Sequence, residues 1–168
     1  TFWQRTLGLP KADYFRDAAV DSDGNVYLVG VTFMDPSDFD YGLLIVSLNK
    51  FGTLRWAARY RTDQEDAWAR CVAVDAENNI IVGGSEYLPG GEARSLIQKW
   101  SSGGGLLWSR TFGSGPSCSV EALQTDGTDI YFCGWYESNL QDLLAGRCQA
   151  LHALAVARGC IPDGLGAK

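Results

Sequence analysis

Ala19-Val20-Asp21-Ser22-Asp23-Gly24-Asn25-Val26-Tyr27-Leu28-Val29-Gly30 decides the fold, because the stretch occurs three times. It returns as Ala73-Val74-Asp75-Ala76-Glu77-Asn78-Asn79-Ile80-Ile81-Val82-Gly83-Gly84. A third copy, one residue longer in the turn, is Ala122-Leu123-Gln124-Thr125-Asp126-Gly127-Thr128-Asp129-Ile130-Tyr131-Phe132-Cys133-Gly134. Each copy sets two short β-rich runs around an Asp/Gly/Asn cluster, the composition of a tight hairpin whose turn needs positive φ. A period of roughly 50 residues marks an architecture assembled from equivalent supersecondary units.

Outward from the hairpin, the same order of elements recurs. A polar loop is followed by Leu43-Leu44-Ile45-Val46-Ser47-Leu48 or Ser95-Leu96-Ile97-Gln98-Lys99-Trp100. A Gly-containing turn comes next (Phe51-Gly52-Thr53 or Gly103-Gly104-Gly105), and then a segment carrying Trp: Thr53-Leu54-Arg55-Trp56-Ala57-Ala58-Arg59-Tyr60 or Leu106-Leu107-Trp108-Ser109-Arg110-Thr111-Phe112-Gly113. The opening residues, Thr1-Phe2-Trp3-Gln4-Arg5-Thr6-Leu7-Gly8, match that last segment, and the three tryptophans stand 53 and 52 residues apart. Four strands per repeat make a four-stranded antiparallel meander. The expected fold is therefore all-β, a β-propeller of about three such units.

With these motifs in view, the chain over about residues 1 to 144 resembles the bacterial and archaeal propeller repeats called SBBP repeats. It is similar, more weakly, to quinoprotein-type propeller repeats. The first resemblance implies a propeller and an exported or surface protein, and it brings little function. The quinone-binding residues of the second class have no counterparts here, and no cofactor is expected.

The expected division is a last strand at 1–8, complete blades at 17–60 and 70–113, a partial blade at 118–144 and a divergent segment at 145–168. Trp3, Trp56 and Trp108, with Gly30, Gly84 and Gly134, are the structural anchors of the repeat. Closed propellers have 4 to 8 blades, so three leave open edges. Two chains closing as six blades, each Thr1–Gly8 strand completing its partner's last blade, would remove those edges. So would further blades of a longer propeller. From Ala145 to Arg158 the sequence has no strand alternation and reads as an Ala/Leu-rich helix stopped by Gly159, with a degenerate strand pair or a frayed tail as alternatives.

Composition limits the function classes. The 168 residues carry 14 basic and 20 acidic side chains, a net charge of −6, and no Lys/Arg block, which disfavours a nucleic-acid surface. No apolar run approaches the length of a membrane span. The chain begins at Thr1 without a charged and apolar leader, so no signal peptide is expected in this form and the compartment stays open. Five cysteines, Cys71, Cys118, Cys133, Cys148 and Cys160, form no C-x-x-C pair; this disfavours a zinc knuckle and a disulfide framework. Cys71 and Cys133, each inside an apolar strand-like run, are expected core thiols. The single histidine, His152, cannot build a multi-histidine metal site.

Asp21, Asp23 and Asn25 alternate like calcium ligands, but Gly24 precedes the third oxygen donor instead of following it. A hairpin turn accounts for all three copies, and no metal site is expected. The loops between blades and between second and third strands are rich in aromatics and acids. Trp68, Tyr87, Trp135, Tyr41, Asp40 and Asp66 are the candidate rim residues, suited to a sugar, a cationic group or a protein hot spot. Packing of these rings between blades is the competing reading. With one histidine, no nucleophile elbow and no phosphate-cradling loop, an enzyme is not the expected reading. The expected function is a non-enzymatic structural or protein-protein interaction module; the alternative is a carbohydrate or small-ligand binding propeller.

Overall fold

The computed structural model describes residues 3–7, 13–35, 40–61, 66–137 and 141–149, and within them the chain is all-β. Eleven antiparallel strands form three sheets. The first runs β1 (Asp13–Val20), β2 (Val26–Asp35), β3 (Asp40–Leu48), β4 (Leu54–Tyr60) in spatial order. The second repeats this meander as β5 (Asp66–Val74), β6 (Ile80–Tyr87), β7 (Ala93–Trp100), β8 (Leu106–Gly115). The third has β9 (Ser117–Thr125), β10 (Asp129–Glu137) and β11 (Gln141–Gln149).

The first hairpin turn of each sheet is tied by an aspartate. Asp21 Oδ1 accepts the backbone N–H of Asp23 at 3.0 Å and of Asn25 at 2.8 Å. Asp75 Oδ1 does the same for Glu77 and Asn79, and Asp126 Oδ1 for Thr128 and Asp129. A carboxylate that satisfies successive N–H groups replaces the ladder partners a turn must give up. The positive φ expected of these turns is present at Gly24 (82°), Asn78 (62°) and Gly127 (94°). The oxygen-bearing side chains of Asp21 and Asn25 are thus engaged in the turn that their spacing predicts.

The strands begin earlier than positions 17 and 70, at Asp13 and Asp66. A bulge after the fourth residue or so of β1 and β5, at Arg16 and Arg70, interrupts the alternation a sequence reading relies on. The third copy bulges at Glu121. Opposite each bulge stands a recurring anchor glycine. A Cβ on Gly30, Gly84 or Gly134 would lie 1.8, 1.9 and 1.9 Å from the carbonyl oxygen of Tyr14, Trp68 and Ser119 respectively. Only a residue without Cβ fits that approach.

Two apolar layers join the sheets. Tyr27, Val29, Leu43 and Ile45 of the first sheet pack with Ala67, Ala69, Ile80, Val82, Leu96 and Trp100 of the second. On the second sheet's other side, Cys71, Ile81 and Ile97 pack with Val120, Leu123, Ile130 and Phe132 of the third. Leu44, Val46 and Leu48 form a further layer on the first sheet's remaining face, against which Trp3 and Leu7 lie. The first strands of the sheets are neighbours, β1 beside β5 and β5 beside β9.

The tryptophans fasten one unit to the next. Trp56 Nε1 donates to Ser102 O of the second sheet at 2.9 Å, and its ring lies on Gly104 in the β7–β8 turn. Trp3 Nε1 donates to Lys50 O at 3.2 Å with its ring on Gly52 in the β3–β4 turn. Residues 3–7 pair in no sheet among the described residues, yet Trp3 makes toward the first sheet the contact that Trp56 makes toward the second.

Two expectations need correction. The helix read from Ala145 onward does not form through Gln149, because 145–149 complete β11 in register with β10, Ala145 opposite Cys133 and Gln149 opposite Asp129. A waiting strand edge overrides the Ala/Leu preference for helix. Residues 150–168, with His152 and Cys160, lie outside the described residues. Cys133 is exposed, not a core thiol, whereas Cys71 and Cys118 are buried. On β10 Ile130 and Phe132 face the second sheet, and Tyr131 and Cys133 face away from it. None of the described residues forms a helix long and apolar enough to cross a membrane.

Candidate functional site

The aromatic residues read as loop residues stand instead within strands. Tyr41 opens β3, Trp68 lies on β5, Tyr87 ends β6 and Trp135 lies on β10. For Trp68 the bulge at Arg70 carries β5 beyond the simple alternating run. Phe33 and Tyr41 are cross-strand partners with ring centroids 4.7 Å apart. Tyr41 meets Trp68 across the sheet boundary at 5.4 Å, and Trp68 meets Tyr87 at 5.4 Å. The result is one run of four half-buried rings spanning the first and second sheets.

Polar groups fix the two middle rings of the run. Asp66 Oδ1 accepts the backbone N–H of Tyr41 at 2.9 Å, which holds the start of β3 over β5. The Arg70 guanidinium sits 5.4 Å from the Trp68 ring centroid. Arg70 Nε lies 3.8 Å from Glu121 Oε1, and that same oxygen accepts Trp135 Nε1–H at 3.0 Å. A cation over an indole face, then a carboxylate, then a second indole carries the run into the third sheet. Trp68 Nε1 is itself buried and has no hydrogen-bond acceptor among the described residues, an unpaired donor inside the run.

Five of the six candidate rim residues are therefore connected: Tyr41, Trp68, Tyr87, Asp66 and Trp135. Asp40 stands in register with Asp35, and its side chain lies outside the described residues. Sequence reasoning missed Arg70 and Glu121. They are the bulged residues of β5 and β9, and the signal that could have found them is the anchor glycine opposite each bulge. The rings are tilted by 49 to 59° to their neighbours and pack on one another, so the run is an uneven ridge and not a single flat platform.

On the opposite rim, the aspartate turns carry cations. Lys99 Nζ lies 2.8 Å from Asp75 Oδ2, both side chains nearly inaccessible to solvent. Burial alone would raise the Asp75 carboxyl, but Lys99, Asn79 and the backbone donors outweigh it and hold it below its ordinary value. In the first sheet the charge is relayed: Arg55 Nη1 donates to Tyr27 Oη at 3.1 Å, and Tyr27 Oη donates to Asp21 Oδ2 at 2.9 Å. Against burial, the side chain and backbone N–H of Asn25, then Tyr27 and the Asp23 N–H, lower Asp21 as well. The thiol of Cys71 is pushed up to about 12, by burial first and then by the charges of Asp17 and Glu121.

No family model matches the chain, and a search of curated proteins finds no match.

Proposed function

We propose that the chain is a non-enzymatic β-propeller repeat module of the SBBP kind, with its sheets as blades and the ring-and-arginine ridge as a protein-contact face. The observation that carries the reading is the ridge itself. Trp, Tyr and Arg are the residues that dominate binding energy at protein interfaces, and here they stand half-buried and connected across three sheets. Support for the blades comes from the repeated step between sheets, with Trp3 on Gly52 and Trp56 on Gly104. Neighbouring first strands also suit units that fan around an axis.

A carbohydrate ligand is the alternative occupant of the ridge, favoured by aromatic rings standing beside the Asp66 and Glu121 carboxylates. A displayed peptide library selected on the immobilised chain tests the proposal. Peptides are expected whose binding weakens about tenfold or more in Trp68→Ala and Arg70→Ala, with unchanged thermal unfolding in Arg70→Ala as the fold control. Binders that ignore both substitutions sink the contact-face reading. Trp68-dependent signals on a glycan array, without peptide binders, move the assignment to the sugar-binding alternative.

A further inference from the structure

On β10 the third sheet repeats positions that the first sheet buries under the second. Val26 pairs with Leu48 and Ile130 with Cys148, so Tyr131 and Cys133 stand where Tyr27 and Val29 stand. The tyrosines even make the same bond: Tyr27 Oη donates to Asp21 at 2.9 Å and Tyr131 Oη to Asp126 at 3.1 Å. Tyr27 is 0% exposed and Tyr131 43%. The difference is what lies on top, since the second sheet covers Tyr27 and Val29. Tyr and Cys at the outward positions of β10 also lack the charge that a solvated strand face carries.

The same equivalence defines an edge. Ser47 stands opposite Trp56, Ile45 opposite Ala58 and Leu44 opposite Arg59. Arg147, Ala145 and Leu144 occupy those places on β11, which ends the order of the third sheet among the described residues. Trp3, Arg5 and Thr6 occupy the places of Trp56, Ala58 and Arg59 by sequence match. Trp3 already makes the contact of a preceding sheet's last strand, on Lys50 and Gly52.

The geometry points to a second copy of this chain as the partner of the third sheet. Its segment Trp3–Thr6 adds antiparallel to β11, with Trp3 opposite Arg147, Arg5 opposite Ala145 and Thr6 opposite Leu144. The first sheet behind that segment covers Tyr131 and Cys133. Strand addition supplies backbone hydrogen bonds, and the tyrosine face supplies the apolar contact. Two such contacts, related by a two-fold axis, return each chain's first sheet to the other's third. This deepens the proposed blade reading and rests on it, naming the partner.

Light scattering over a concentration series, with mass mapping of Cys133 alkylation at each concentration, tests the pairing. A dimer is expected in which Cys133 reacts about tenfold more slowly than after dilution to monomer. Tyr131→Lys, at a position already exposed within one chain, is expected to weaken association about tenfold or more without lowering the monomer's thermal transition. Trp3→Ala is expected to weaken it too. A monomer at every concentration overturns the pairing, as does a dimer with unprotected Cys133 and indifference to Tyr131→Lys. Small-angle scattering separates the two failures: a monomer whose profile fits sheets fanned about an axis keeps the blade reading and loses only the second copy.

Discussion

Among the described residues the second sheet is covered on both faces and the third on one, although both are built from the same hairpin. Ile80, Ile81 and Val82 on β6 are all fully buried, because Ile80 and Val82 face the first sheet and Ile81 faces the third. On β10, Ile130 and Phe132 are buried while Tyr131 and Cys133 are exposed. A continuous apolar run records burial on two sides, and alternation records burial on one. Burial in this chain is thus a property of a sheet's place in the stack, and the backbone pattern is indifferent to it.

The anchor glycines bear most heavily on that difference between the sheets. Gly84→Ala pushes a Cβ to 1.9 Å from Trp68 O inside a sheet that both neighbours hold. The bulge cannot relax without shifting two interfaces, so a loss of about 3 kcal/mol or more and unfolding of the whole chain are expected. Gly134→Ala makes the same clash with Ser119 O, but the third sheet is held from one side. Local opening confined to β9–β11 is expected, read as hydrogen exchange that rises there and stays low in β5–β8. Equal global losses would show that the third sheet is not the separable unit its burial implies.

The aspartate turns come next. Lys99→Met leaves the buried Asp75 carboxylate without its ammonium, and a cost of about 2 to 4 kcal/mol in denaturant unfolding is expected. Asp126→Asn, in an exposed turn of the third sheet, is expected to cost under about 1 kcal/mol. A similar cost for both would mean that the Lys99–Asp75 pair adds little beyond the turn hydrogen bonds that all three copies share.

What the sequence made legible follows the same division between local and stacked. The three turns were readable because Asp, Gly and Asn impose local geometry, and Gly24, Asn78 and Gly127 do adopt positive φ. The strand order was readable from the recurrence of whole segments. The bulges at Arg16, Arg70 and Glu121 were not, since an extra residue breaks a period-two pattern and its cue, the anchor glycine, lies on the partner strand. Arg70 and Glu121, the polar members of the ridge, were lost with them. Cys133 was misplaced for another reason: Ile130-Tyr131-Phe132-Cys133 is as apolar as Ile80-Ile81-Val82, and only the absence of a following sheet among the described residues exposes every second side chain. The ridge was visible as residue types, but its continuity depends on Tyr41 meeting Trp68 between sheets.

Acid separates the turns by a smaller effect. Asp21 and Asp75 are held below the ordinary carboxylate value in the folded chain, so they bind protons more weakly folded than unfolded. Their contribution is complete above the unfolded value and fades as pH falls through that value toward the lowered one. Stability is therefore expected to decline from about pH 5 downward, with Lys99→Met flattening the decline, since its loss brings Asp75 back toward its ordinary value. An unfolding midpoint that is flat from pH 6 to about pH 3 in the unsubstituted chain would contradict the assignment.

The two thiols offer the gentlest test, because it changes no contact. Cys71 is buried in the layer between the second and third sheets, and its thiol is pushed up to about 12, so almost no thiolate exists near neutral pH. Cys133 is exposed. In dilute solution Cys133 is expected to alkylate within the time a small exposed thiol takes, and Cys71 only as fast as the layer opens. Raising denaturant below the unfolding transition sharpens the contrast. If the third sheet detaches as a unit, Cys71 becomes reactive before the tryptophans of the first two sheets lose their native fluorescence, because Val120 and Leu123 are what cover it. If Cys71 and the fluorescence change together, the stack unfolds as one piece, and the difference in burial between the two sheets carries no difference in cooperativity.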